Sequence, residues 1–197
     1  MAWEPDYPLA TARLRLRPFN RGDVDAVHAY RQREDVAEFL FDEPLSRSEC
    51  AEVVQQRVNQ IRWTDEGDKI VLAVEPLAGG PLVGEVSLIW RNREFRQGEI
   101  GYIFHPDVHG QGFASEAAER VLMLGFSKLE LHRIAARCDV HNAKSWRVME
   151  RIGMRREAHF REHQVLKGDW DEEFIYAILE DEWRALHPDA EMLFTRG

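Results

Sequence analysis

The chain has 197 residues, 44% of them hydrophobic, enough for one domain with a full core and too few for two large ones. Its 35 acidic residues outnumber 26 basic ones, a formal charge of -9. That balance argues against the basic footprint of a nucleic-acid binder and reads either as ordinary solubility or as attraction to a cationic partner. No apolar run reaches the ~18 residues of a membrane helix, and Met1-Ala2-Trp3-Glu4-Pro5-Asp6 lacks the basic-then-apolar pattern of a signal peptide. The expectation is a soluble, cytoplasmic protein with no membrane partner.

In chain order, Thr11 to Pro18 alternates polar and apolar residues and predicts a first, half-buried strand. Asn20 and Asp23 open a helix with Val24, Val27 and Tyr30 on one side, and an apolar patch, Val36 to Phe41, follows. Ser46 and Glu49 form a capping box for a helix running to about Trp63. Lys69 to Glu75 and Leu82 to Trp90 read as a hairpin across Pro76-Leu77-Ala78-Gly79-Gly80-Pro81. A strand, Glu99 to Phe104, leads into His109-Gly110-Gln111-Gly112-Phe113-Ala114, and a helix leaves it with Ala114, Ala118, Val121, Leu122 and Phe126 on one face. Arg133 to Val140 is the next strand, so strand, helix and strand make a parallel crossover. Asn142 caps a helix, Ala143 to Ile152, that Gly153 stops. Met154 to Gln164 and Glu172 to Leu179 close the sheet as an antiparallel pair across Lys167-Gly168-Asp169, and a loose tail is expected from about Leu186.

Cys50 and Cys138 fall in a predicted helix and a predicted apolar strand and read as buried free thiols. His159 and His163 lie on a predicted strand, where four residues span roughly 13 Å and cannot share a metal. No metal is expected. The glycine loop is the chemical centre of the chain. Two glycines let the backbone turn tightly against a ligand, and the unpaired N–H groups of the following helix suit a phosphate. There is no Gly-x-Ser-x-Gly elbow, Gly-x-x-x-x-Gly-Lys loop or His-Glu-x-x-His motif.

Glu99-Ile100-Gly101-Tyr102, the glycine loop, and Asn142-Ala143-Lys144-Ser145 through Arg151-Ile152-Gly153-Met154 occur in one order and spacing. Together they resemble the GNAT N-acetyltransferase superfamily, and within it the ribosomal-protein N-terminal (RimJ/RimL-like) branch. The likeness runs from about Thr11 to about Trp183. It implies a mixed α/β fold over a single domain, 1–197: a largely antiparallel seven-stranded sheet with a V-shaped splay between its two central parallel strands, flanked by helices. It implies acetyl-CoA as cosubstrate. The backbone of Ile103, Phe104 and His105 would then meet pantetheine, and His109, Gly110, Gln111, Gly112, Phe113 and Ala114 would cradle the pyrophosphate. The family usually has Gln or Arg where this chain has His109.

Transfer to an amine needs a neutral amine, a polarised thioester carbonyl and a proton for the departing thiolate. Glu99, flanked by Ile100 and Ile103, is the candidate base, with Glu94, Glu38 and Glu162 as substitutes. Many relatives carry an acidic tyrosine where this chain has Met149; by resemblance to the RimL-like branch, Ser145 takes that role. The alternative for Ser145 is a hydrogen bond to the cofactor or to the first helical turn. Asn142 would orient pantetheine or the helix start. Trp63, Trp90 and Tyr102 are candidates for the acceptor pocket, or else core residues. The resemblance implies acetylation of a primary amine, with a polypeptide N-terminus first and a small amine (polyamine or aminoglycoside) second. A non-catalytic acyl-CoA-binding module is the alternative of another class. Relatives are often dimers, so a homodimer is among the expectations.

Overall fold

The computed structural model describes residues 3–190. Its strands are β1 (Leu9–Ala10), β2 (Leu14–Pro18), β3 (Lys69–Pro76), β4 (Gly84–Asn92), β5 (Gln97–Phe104), β6 (Arg133–Asp139), β7 (Arg155–Leu166) and β8 (Asp169–Leu179). The helices are α1 (Val24–Arg31), α2 (Glu34–Ala37), α3 (Arg47–Arg57), α4 (Phe113–Ser127), α5 (Ala143–Arg151) and α6 (Glu180–Leu186). All eight strands join one sheet in the order β1-β2-β3-β4-β5-β6-β8-β7. Seven were expected; the eighth, β1, is two residues long and too short to show a period.

Every pair is antiparallel except β5 and β6. These two are in parallel register only at Gln97↔Arg133, Gly98↔Ile134 and Glu99↔Ala135. Beyond that point β5 continues to Phe104 along β4, and β6 continues to Asp139 along β8. The sheet therefore opens into the expected wedge. Helix α4 crosses from β5 to β6, and α5 begins at the wide end.

Alternation along β3 explains the two cores. Ile70, Leu72 and Val74 join Val86, Leu88, Ala118, Val121, Leu122 and Phe126 on the α4 face, whereas Val71 and Ala73 meet Phe19, Val27, Tyr30, Cys50 and Val54 beneath α1 and α3. Helix α3 starts at its capping box: Ser46 Oγ accepts from Glu49 N, and Glu49 Oε2 from Ser46 N. Such a cap contributes about 1 kcal/mol. The helix ends at Arg57 rather than near Trp63. Trp63 is drawn instead into a two-bond bridge with Trp3, 2.8 and 2.9 Å, that no local signal announces.

Helix α6 was not expected. It buries Trp183 against Phe126, ring centroids 5.5 Å apart. Pro188–Ala190 then makes a 3-10 turn, and the rest of the expected tail, 191–197, lies outside the described residues. Both cysteines are buried and free. No described helix is long and apolar enough to cross a membrane.

Candidate active site

A cavity of about 570 Å³ fills the wedge. Its floor is Tyr102, Ile103 and Phe104 of β5, one end is the glycine loop and the first turn of α4, and the other is the start of α5. His105 N–H donates to Val83 O at 2.8 Å, on the β4 side, so the carbonyl of Phe104 turns away into the wedge. His109 Nε2 meets that carbonyl at 3.2 Å. Burial, and then the nearby Lys144 cation, push the His109 imidazole pKa down.

Gly110 and Gly112 have φ of +79° and +80°, a region that L side chains rarely adopt. Gly112 is the N-cap of α4. Arg13 braces the loop from outside: its Nη1 donates to Gln111 O at 2.9 Å, while its backbone N and Nε bind Glu116 in the first turn of α4. Burial raises the Glu116 pKa, but hydrogen bonds from Thr11 and Arg13 outweigh it and hold the carboxyl below its ordinary value. Ser115 Oγ, one turn inside, is buried and has no hydrogen-bond partner, though its residue lines the cavity. An orphaned donor beside four unpaired helix N–H groups fits an anionic ligand. Lys144, Arg147 and Arg151 project into the same cavity from α5.

A second cavity of about 260 Å³ lies on the α1–α3 side. The two cavities share Leu40, Tyr102, Ile103 and Ser145. In the second, Glu85 Oε2 accepts from Tyr30 Oη at 2.9 Å and pairs with Arg57 Nη1 at 2.5 Å. Its Oε1 makes no bond among the described residues. Arg137 stands at the rim, paired with Glu99 at 3.3 Å and Glu173 at 3.7 Å. Beyond it burial raises the pKa values of Glu173 and of Asp139, which is hydrogen-bonded to Asp171. At the boundary, Tyr102 Oη lies 2.9 Å from Ser145 O and 3.1 Å from Ser145 Oγ.

A family model described as an acetyltransferase (GNAT) domain matches residues 13–155. The chain belongs to the GNAT acetyltransferase family. An uncharacterised N-acetyltransferase of Bacillus subtilis, YnaD, is 33% identical over 89% of this chain and 98% of its own. A GNAT-family acetyltransferase from Bacillus anthracis superposes with a TM-score of 0.79 at 34% identity, covering 88% of this chain and 99% of that one. Spermidine N-acetyltransferase from Vibrio cholerae, in complex with CoA and spermine, gives 0.72 at 28% identity, covering 88% and 99%. The protein is thus an N-acetyltransferase that uses acetyl-CoA, and the wedge cavity, with its glycine loop and orphaned Ser115 Oγ, fits that cosubstrate.

This GNAT site gathers most of the residues singled out in the sequence. Ile103, Phe104, His109, Gly110, Gly112, Phe113, Ala114, Asn142 and Ser145 line the wedge, and Asn142 also caps α5 by accepting from Ser145 N at 3.1 Å. Other singled-out residues lie elsewhere. His105 and Gln111 line neither cavity. The His105 amide is taken by Val83, its ring caps the Pro106–Val108 turn, and the Gln111 side chain reaches back to Asp107 O. Trp63 is wholly buried, donating from Nε1 to Leu88 O at 3.1 Å, and Trp90 lies under the Arg93 guanidinium; neither borders the wedge or the second cavity. Glu99 is not in an apolar pocket but between Arg91 and Arg137. Of its substitutes Glu38 borders the wedge, and Glu94 and Glu162 border neither of the two cavities.

Sequence reading missed Glu85 and the basic face of α5. The latter had a signal, since Lys144, Arg147 and Arg151 recur at helical spacing. Glu85 had none, because the Tyr30 and Arg57 that surround it are far away in the chain.

Proposed function

We propose that this GNAT enzyme, as a single domain, transfers acetyl directly from acetyl-CoA to a primary amine of a small polycationic acceptor such as a polyamine. The observation that carries the reading is the meeting of two cavities at Tyr102, Ile103 and Ser145. A thioester in the wedge and an amine in the second cavity would approach each other at that shared boundary. A covalent acetyl-enzyme has no good nucleophile, since burial pushes the nearby Cys138 thiol up to about 12. Ser145 supplies the proton for sulfur, and Glu85 Oε1 receives the acceptor's ammonium.

Carboxylates favour the cationic acceptor. Glu85 lines the second cavity, and Glu99 and Glu173 pair with the Arg137 that stands at its rim. The Vibrio cholerae relative acts on spermidine. A polypeptide N-terminus, as in the ribosomal-protein branch, is the second reading. It is favoured by Ser145 and Met149, the pattern in which a serine rather than a helical tyrosine is the acid. CoA release measured against polyamines, aminoglycosides and N-terminal peptides separates them. Turnover of peptides alone would overturn the polyamine reading, and turnover of none would leave an acyl-CoA-binding module.

A further inference from the structure

Tyr102 and Ser145 are the two hydroxyl residues common to both cavities. Their oxygens are 3.1 Å apart, and the Tyr102 hydroxyl also reaches the Ser145 carbonyl at 2.9 Å. A small rotation of the Tyr102 O–H therefore moves its proton from the carbonyl to Ser145 Oγ. On the other side Ser145 bonds Cys138, but that thiol borders neither cavity and leads nowhere. Met149, one turn along α5, lines the second cavity and has no proton to give. Burial raises the Tyr102 pKa, so its phenol is a poor store of charge. It can pass a proton on only while taking another up.

We propose that Tyr102 and Ser145 form a two-hydroxyl relay that carries the acceptor's proton to the departing sulfur. The proposal rests on the direct transfer set out above. The acceptor's ammonium first gives one proton to Glu85 Oε1; as the resulting neutral nitrogen bonds the acetyl carbon, the carbon–sulfur bond breaks and its electron pair stays on sulfur. The nitrogen, now positive, gives a proton to Tyr102 Oη; the tyrosine's own proton moves to Ser145 Oγ, and the serine's proton goes to sulfur. Both hydroxyls end as they began. From the neutral amine onward the net change is one N–H lost and one S–H formed, with no outside acid.

Tyr102→Phe removes the hydroxyl and keeps the ring. With acetyl-CoA its kcat should fall by roughly 10²-fold while KM for acetyl-CoA stays within about twofold. The double variant Tyr102→Phe/Ser145→Ala should be no worse than Ser145→Ala, because both act on one proton path. An acetyl thioester of an acidic aryl thiol, whose thiolate leaves unprotonated, should shrink the deficit to about twofold or less. Without turnover, the ultraviolet thiolate band of bound CoA should appear at higher pH in Tyr102→Phe than in wild type, since the weakened donor chain stabilises the anion less.

An equal deficit with both thioesters, or an unmoved thiolate titration, would mean that Tyr102 only packs against α5 and would overturn the relay. So would full activity of a folded Tyr102→Phe. If that variant does not melt cooperatively, Ser145→Thr against Ser145→Ala makes the same comparison, with rescue expected only where a hydroxyl remains. A wild type that acetylates no amine sinks the relay and the proposed function together. An active wild type with an indifferent Tyr102 sinks the relay alone.

Discussion

Glu85 and Glu99 project from one face of the β4–β5 pair, yet their surroundings give them different work. Both partners of Glu85 sit on one oxygen and leave the other to the cavity, whereas Glu99 meets the cavity only through Arg137. Glu85→Gln should therefore lower turnover of a polyamine at neutral pH by roughly 10²-fold and barely change acetyl-CoA affinity. Glu99→Gln should cost about tenfold or less. Steady-state kinetics on both would tell, and the reverse order would assign the amine to Glu99. His109 makes a prediction of sign. In the free protein burial and Lys144 depress its pKa, so the unfolded chain binds the proton better, and this residue subtracts stability as pH falls through about 6.5. Phosphates beside the ring would raise its pKa. Binding of acetyl-CoA should then take up a proton between the free and bound values, and affinity should weaken as pH rises through that window. Calorimetry in buffers of different ionisation heat measures the uptake, and His109→Gln should abolish it.

Among the elements, the glycine loop and α4 act as one piece because Arg13 ties Gln111 to Glu116 from the β2 side. Gly112 is held at positive φ, where an added Cβ would lie 3.3 Å from Arg13 Nη2. Gly112→Asp adds strain, bulk and a repulsive charge, so acetyl-CoA affinity should fall at least about tenfold, roughly 1.4 kcal/mol. Titration calorimetry on the folded variant would read it, and unchanged affinity would remove the loop from the site. This segment was legible in the sequence because its determinants are local: two glycines, a strand before and an amphipathic helix after. The capping box of α3, the Asn142 cap and the Gly153 stop were legible for the same reason. The end of α3, helix α6 and the Tyr102–Ser145 contact were not. Each depends on a partner far off in the chain: Trp3 for Trp63, Phe126 for Trp183, and a strand 43 residues before Ser145. No period or cap encodes such meetings.

At the scale of the whole molecule, the charge of -9 bears on the proposed cationic acceptor. A polyamine acceptor, as proposed, would be drawn to it from a distance, and salt would screen that attraction over about 8 Å at physiological strength. The kcat/KM for a polyamine should therefore drop steeply between low and high ionic strength, while that for a neutral-tailed peptide should change little; equal slopes in stopped-assay rates would argue against steering. The open wedge between β5 and β6 has a further consequence. Unpaired strand edges at the rim of a sheet invite other chains to add on, and proteins blunt them with charge, proline or cover. Here the two unpaired edges face each other inside the sheet, roofed by the first turns of α4 and α5. The peptide groups needed to grip a ligand are thus kept free without being offered to a neighbouring protein's strand, and a binding site that looks like a fault in the sheet carries little of the aggregation hazard of an outer edge.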